Sequence, residues 1–316
     1  MLSYIVKRVL STIPVLFVVS LVIFFIIHIT PGDPAAAILG MEATEAQIEE
    51  LNKELGFDRP IAEQYVSWVA GVFQGDLGNS IFMKMPVTEA IAGHVGPTLS
   101  LAILAQVIAL VLAIPFGMIA AYKRGSATDA TLMGMSLFGM AVPSFLLGLL
   151  LMLVVGVQLQ WLPVAGYASL EKGFTEHLKY LILPAISLGA IQAALITRMT
   201  RSSMLDVLNL NYIKTARAKG LQEWRVLLKH AFRNAFLPIL TVIGQTFGTL
   251  VTGAVVVETI FNIPGLGQLI MNSITRRDFT VIQGVVMAVT VMYIFINLVI
   301  DLLYGVVDPR VRLDRK

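Results

Sequence analysis

The stretch AIAGHVGPTLSLAILAQVIALVLAIPFGMIAAY, Ala90 to Tyr122, contains no Asp, Glu, Lys or Arg. A helix needs about 20 apolar residues to cross a bilayer, and this run exceeds that length. Its apolar residues are continuous, not alternating, which excludes a β-barrel strand. Five more charge-free stretches exist: Val9–Gly32, Ala130–Leu170, Tyr180–Thr197, Asn234–Val257 and Phe279–Ile300. Each reads as one span. Ala130–Leu170 is long enough for two, but Gly156 to Tyr167 holds Pro163 and Gly166 and reads as a loop with an aromatic residue at each end. Lys7 and Arg8 precede the first run as in a signal peptide, yet its apolar core is too long for one and no small-residue cleavage site follows, so it reads as a retained span.

Composition agrees. Of 316 residues, 57% are hydrophobic and 14% charged, against about 25% charged in soluble domains. Mean hydropathy is +0.81. A soluble enzyme, a disordered chain and a nucleic-acid-binding domain are excluded. Cysteine is absent, which removes disulfides, thiolate metal sites and acyl anchors. With six spans and the N-terminus in the cytoplasm, the inside holds 16 of the 23 basic residues and 6 of the 20 acidic ones. That bias follows the positive-inside rule, and a seventh span would destroy it.

Two connecting segments carry information. In the first outside loop, Thr44 and Gln47 form a capping box ahead of Ile48, Leu51 and Leu55 at helical spacing. Pro60 then opens a second helical pattern through Tyr65, Trp68 and Phe73, which GDLGNS (Gly75–Ser80) ends. The segment reads either as a lid packed on the spans or as a docking surface. The acidic residues for the second reading are Asp33, Glu42, Glu45, Glu49, Glu50 and Asp76. The inside loop Thr200–Arg233 is divided by Gly220. Ile213 and Ala216 share a face before it. After it, Trp224, Leu227, Leu228, Ala231 and Phe232 follow amphipathic helical spacing, opposite Arg225, Lys229 and Arg233. A helix, a glycine break and a basic helix are expected, lying on anionic lipid or seated in a partner's groove.

Chemistry is otherwise sparse. No phosphate-binding glycine loop and no H-E-x-x-H occur, and His28, His94, His177 and His230 are scattered. Arg198, Glu258 and Asp301 fall at span ends, so no mid-membrane carboxylate of the proton-pump kind is visible. Gln106, Gln192 and Gln245 are the polar mid-span residues, either glue between helices or groups along a solute's path. Gly244 and Gly248, with Gly253 beyond, suit a close helix interface.

Several motifs resemble one family. TPGDPA (Thr30–Ala35), GDLGNS, WLPVAGY (Trp161–Tyr167), YIKTARAKGL (Tyr212–Leu221) with HAFRNAFLP (His230–Pro238), VETIFNIPGLGQL (Val257–Leu269) and DPRVR (Asp308–Arg312) occur in order along nearly the whole chain. Together they are similar to the type-1 permease subunits of ABC importers, in the dipeptide, oligopeptide and nickel subclass. The resemblance implies an all-α integral membrane protein of six transmembrane helices. Its parts would be an N-terminal helix (1–32), an extracytoplasmic helical lid (33–93), a type-1 transmembrane domain (94–305) and a cytoplasmic tail (306–316). It also implies that Lys214, Thr215, Ala216, Arg217, Ala218, Lys219, Gly220, Leu221 and Glu223 form the loop that docks on a cytoplasmic ATPase. Lys214, Thr215 and Ala216 fill the E-A-A positions of the family's loop, so its acidic first residue is absent. The implied partners are a second permease, two ATPase subunits carrying ATP and Mg, an extracytoplasmic receptor and the bilayer, with no nucleic acid. The chain itself would hold no cofactor and catalyse nothing. Its cargo would be di- or oligopeptides, with nickel chelate, glutathione or another small solute as the alternative. A standalone carrier or channel is the competing class.

Overall fold

The computed structural model describes residues 2–29, 34–39, 43–56 and 58–307. They are mostly helical. In chain order the helices are α1 (Leu2–Ile29), α2 (Pro34–Leu39), α3 (Glu45–Leu55) and α4 (Ile61–Phe73). A two-stranded hairpin follows, β1 (Asn79–Ser80) and β2 (Met85–Pro86). Next come α5 (Val87–Tyr122), α6 (Ala127–Ala141) and α7 (Ser144–Leu151), the last continued by a π-helical stretch, Met152–Gln158. α8 (Phe174–Leu208), α9 (Asn211–Ala218) and α10 (Glu223–Arg225) lead into a second π-helical stretch, Val226–Phe232. The chain ends with α11 (Arg233–Gly253), α12 (Val255–Ile260), α13 (Leu266–Thr275) and α14 (Phe279–Val307).

Among the described residues, four helices are long and apolar enough to cross a membrane: Val87–Tyr122, Phe174–Leu208, Glu223–Gly253 and Phe279–Leu302. A fifth crossing is possible through the pair Ala127–Ala141 and Ser144–Gln158, which bends by 99°. The apolar part of α1 among these residues is Leu10–Phe25. The stretch Ala130–Leu170, expected as one span, is thus built from two helices with a bend between them. Pro143 causes the break: it pushes Val142 into extended backbone, φ −84°, ψ 121°. The expected loop also starts later, because the π stretch carries helix through Gly156 to Gln158.

The contacts divide the chain into two compact units. One comprises residues 97–263 with those from 295 onward. Its centre is α8, whose apolar window is 61% buried, against 11% for α14. α8 packs on α6, α7 and α11. α5 approaches it through small residues: Ala105, Ala109 and Ala113 are fully buried, and a Cβ on Gly117 would stand 2.5 Å from Thr200 Cβ. A Cβ on Gly189 would stand 2.7 Å from the Ala105 carbonyl oxygen, so the two backbones nearly touch. In lipid, where apolar side chains gain nothing from avoiding the solvent, such close packing is a main source of helix association. Gly244 serves likewise against Ile300, where an added Cβ would lie 2.6 Å from a methyl group, whereas Gly253 faces open space.

The other unit comprises Leu2–Gly96 and Pro264–Ile294. Thr44 and Gln47 make the expected capping box on α3, and Pro60 precedes α4. Phe24 of α1 meets Tyr65 and Trp68 of α4 at 5.3 and 6.1 Å between ring centroids, and Ser20 shares a 2.7 Å hydrogen bond with the Tyr65 hydroxyl. The start of α5 (Val87, Ala90, Ile91) packs on Leu266 and Leu269 of α13 and on Val281 and Val285 of α14. Asp278 caps α14 through the Val281 N–H at 3.4 Å and accepts the Ser80 hydroxyl at 2.5 Å, tying the hairpin to that helix.

Replacing Gly189 by Val is expected to cost about 1–3 kcal/mol by overpacking against the α5 backbone. Gly134→Ala, where nothing lies within 4 Å of an added Cβ, is expected to be neutral or slightly stabilising. Thermal unfolding of both variants in detergent checks the contrast; a Gly189→Val melting point equal to wild type would refute the close approach.

Candidate functional site

The loop after α8 forms a structured projection. Ile213 and Ala216 of α9 are buried, with Val226 and Ala231 from the following segment. They join a cluster with Ala109, Ala113 and Ala121 of α5, Ile196, Met204 and Val207 of α8, and Ala235 and Ile239 of α11. The projection is thus rooted in the core of its unit. At its tip α9 ends in a Schellman turn. The Leu221 N–H donates to the Ala216 carbonyl at 3.4 Å and the Gly220 N–H to that of Arg217 at 2.9 Å. Gly220 has φ +76°, the left-handed conformation that favours glycine, and nothing lies within 4 Å of an added Cβ. The expected helix–glycine–helix is present.

Two sets of polar contacts hold the arms together. Arg217 donates to Glu223 across the turn, at 2.6 Å from one terminal nitrogen and 3.1 Å from Nε. That carboxylate holds the guanidinium pKa above its usual value, through the hydrogen bond first. The Tyr212 hydroxyl donates to the His230 carbonyl at 3.2 Å and accepts from Asn234 at 2.8 Å. Lys214, Thr215, Arg217, Ala218, Lys219, Gly220 and Leu221 are exposed and Glu223 partly so. Of the expected apolar face of the second arm, Leu227, Ala231 and Phe232 join or pack on the core cluster, opposite exposed Arg225, Lys229 and Arg233, while two residues depart from it. Trp224 and Leu228 point outward, 56% and 51% exposed, whereas Val226 is buried. Trp224 precedes the π-helical turn over Val226–Phe232, whereas Leu228 lies within it, where buried Val226 and Ala231 are five residues apart, the spacing of an i→i+5 turn and not of an α-helix. The outward surface therefore combines Leu210, Tyr212, Leu221, Trp224 and Leu228 with Lys214, Lys219, Arg225 and Lys229.

An ion pair that sequence reasoning missed braces the base of this projection. Arg201 of α8 clasps Asp129 of α6 with two bonds, Nε to Oδ1 at 2.6 Å and a terminal nitrogen to Oδ2 at 2.7 Å. The Gly125 N–H donates to the same carboxylate at 3.0 Å. The only sequence signal was a lone acid opening a long apolar run. Glu258, in the short helix just beyond the span that ends at Gly253, is fully buried and accepts the Thr98 hydroxyl at 2.6 Å, a partner the sequence did not indicate.

The three mid-span glutamines converge on α11. Gln192 Nε2 donates to the Thr249 hydroxyl at 3.2 Å, and Gln106 Oε1 lies 3.4 Å from the Thr246 hydroxyl. Gln106 Nε2 and Gln192 Oε1 are buried and have no partner among the described residues. Such atoms mark places where water, a ligand or another chain belongs. Gln192 and Gln245 line a cavity of about 540 Å³ between α8 and α11, together with Leu195, Arg198, Met199, Ser202, Val242, Thr246 and Thr249. Gln106 does not line it.

The acidic candidates are not gathered into a site. Glu45, Glu49 and Glu50 are exposed on α3. The Lys53 ammonium, 2.6 Å from Glu49, holds that carboxyl below its usual pKa by hydrogen bond and then charge. Asp76 accepts the Gly78 N–H at 2.8 Å and shapes the turn into the hairpin. Asp33, Glu42, most of TPGDPA and DPRVR lie outside the described residues. No group of three metal-ligating side chains occurs among the described residues.

Comparison with known proteins gives a consistent result. The family model described as binding-protein-dependent transport system inner membrane component matches residues 113–313, and its N-terminal companion matches residues 1–102. A protein of Sinorhizobium fredii named "Probable peptide ABC transporter permease protein" is 40% identical, covering 98% of this chain and 99% of its own. The glutathione transport system permease protein of Escherichia coli K12 is 42% identical, covering 99% of both. Among solved structures, an inward-facing MetNI methionine ABC transporter superposes with TM-score 0.59 at 18% identity, over 69% of this chain and 96% of that one. At that identity the likeness concerns the fold.

A double-mutant cycle on Asp129→Ala and Arg201→Ala is expected to return about 1–3 kcal/mol of coupling, as for residues sharing a partly buried ion pair. Denaturant or thermal unfolding in detergent measures it; strictly additive single effects would contradict the pairing.

Proposed function

The chain belongs to the binding-protein-dependent transport system inner membrane components, and from that membership we propose a mechanism in which the α9–α10 projection receives force and the α8–α11 cavity lies on the solute's path. The chain is a permease subunit of an ABC importer, not an enzyme. Its cargo in this proposal is short peptides. The relatives named for peptide and for glutathione, itself a tripeptide, support that class. A nickel chelate or another small solute carried by the same machinery is the second reading.

One observation carries the coupling role: the Gly220 turn is exposed yet rooted in the core of its unit. Push on it and the force passes into α8 and α11. Its outward apolar residues and basic rim suit a groove on an ATPase subunit, where Tyr212, Leu221 and Trp224 would be covered. Two such ATPases would bind and hydrolyse ATP with Mg, a second permease would complete the pathway, and a receptor outside would deliver the peptide. The span count is six, with α1 as the first and α6–α7 as one broken crossing. The Asp129–Arg201 pair supports this, because it sets the start of α6 beside the end of α8. The basic residues favour both termini inside. α3, α4 and the hairpin form the outer lid, with Glu45, Glu49, Glu50 and Asp76 as its acidic contacts for a receptor.

Gly220→Asp tests the coupling role. The space around Gly220 is open and Asp tolerates the left-handed conformation, so membrane abundance is expected to match wild type. ATP-driven uptake and receptor-stimulated ATP hydrolysis by the reconstituted complex are expected to disappear. Normal uptake by the variant would remove the coupling role.

A further inference from the structure

Arg198 stands out within the cavity. It is the single charged residue of the lining, which is otherwise neutral. Its contact is with Met140, whose sulfur lies 3.4 Å from a terminal nitrogen, and no carboxylate among the described residues pairs with it. Arg201, one turn further along α8, is by contrast fully engaged by Asp129. A guanidinium presents five donors in a planar fork that matches a carboxylate. Arg198 is exposed, so its guanidinium is open to an anion that enters the cavity.

Gln192 lies on the same wall, but its Nε2 is engaged by Thr249 and its Oε1 is closed to solvent, so on the α8 side it is the Arg198 guanidinium that offers charge to a solute. Leu195, Met199 and Val242 supply apolar wall between the polar groups. No acidic residue lines the cavity to attract an ammonium group or a metal cation.

We propose that the α8–α11 cavity is a station for the free C-terminal carboxylate of a short peptide, gripped by the Arg198 guanidinium. This rests on the reading of the cavity as part of the solute's path. It adds a selectivity element within the permease that is separate from any choice made by the receptor.

The test uses the complete permease–ATPase complex in lipid nanodiscs without receptor. Trialanine and trialanine C-terminal amide are the probes, and equilibrium binding is the readout. The free acid is expected to bind about tenfold or more tightly than the amide, the scale of a charge-assisted hydrogen bond. Arg198→Gln should erase the difference, and Arg198→Lys should keep part of it, since it restores charge without the fork. Assembly of each variant complex is matched by gel filtration first. Equal binding of the two probes to wild type, an undiminished preference in Arg198→Gln, or no binding at millimolar peptide would each overturn the proposal. Leu195→Trp, which narrows the cavity, separates the two readings. If it blocks ATP-driven uptake while acid and amide bind alike, only the carboxylate station fails. If uptake proceeds normally, the pathway reading fails. If the complex falls apart, the cavity is a seam between subunits and the proposal falls with it.

Discussion

The approach of α5 and α8 sets the scale for the larger unit. At Gly189 the distance to the Ala105 carbonyl leaves no room for a methyl group. Long aliphatic side chains at this seam would push the helices apart, and the cavity on the other side of α8 would close or move. In a bilayer the backbone polar groups are already satisfied inside each helix. What selects one arrangement of helices is then the fit of their surfaces, and small residues make the tightest fit. α8 uses both faces: its small-residue side fixes it on α5, and its polar side opens toward α11.

The same helix joins the cavity to the projection. Gln192, Arg198 and Ser202 line the cavity, and Met204 and Val207 belong to the cluster that roots α9. Between them, Arg201 is clamped to Asp129. With its carboxylate nearly buried and held by a bidentate fork and a backbone N–H, this pair differs from the exposed Glu49–Lys53 contact, which contributes little. In the proposed mechanism, the Asp129–Arg201 pair stiffens the connection between the cavity wall and the projection that would receive force.

Much of this was legible in the sequence. The charge-free runs located the long helices, Thr44 and Gln47 announced a helix start, and Gly220 announced a left-handed turn. Each is a local signal, readable within a few residues. What escaped was of two kinds. Arg201 and Glu258 find Asp129 and Thr98 at sequence separations of 72 and 160 residues, and a hydrophobic pattern shows which face is apolar, not which side chain meets it. The outward turn of Leu228 was hidden for a different reason: the expected face assumed 3.6 residues per turn throughout, and the chain departs from that over Val226–Phe232. The bend at Pro143 was readable from the residue itself, yet its neighbours' unbroken apolarity masked it.

That wide turn at Val226–Phe232 also fixes the phase of a screw. Along an α-helix each residue advances about 100° around the axis. A π turn takes up one residue more than an α turn, so everything beyond it is rotated relative to the register an uninterrupted α-helix would have given. Val242, Gln245, Thr246 and Thr249 face the cavity from α11, downstream of that turn. The polar lining on this side is therefore timed by a backbone irregularity some ten residues away, in the arm of the projection. The segment that exposes Trp224 and Leu228 is also the key that sets which stripe of α11 lines the cavity.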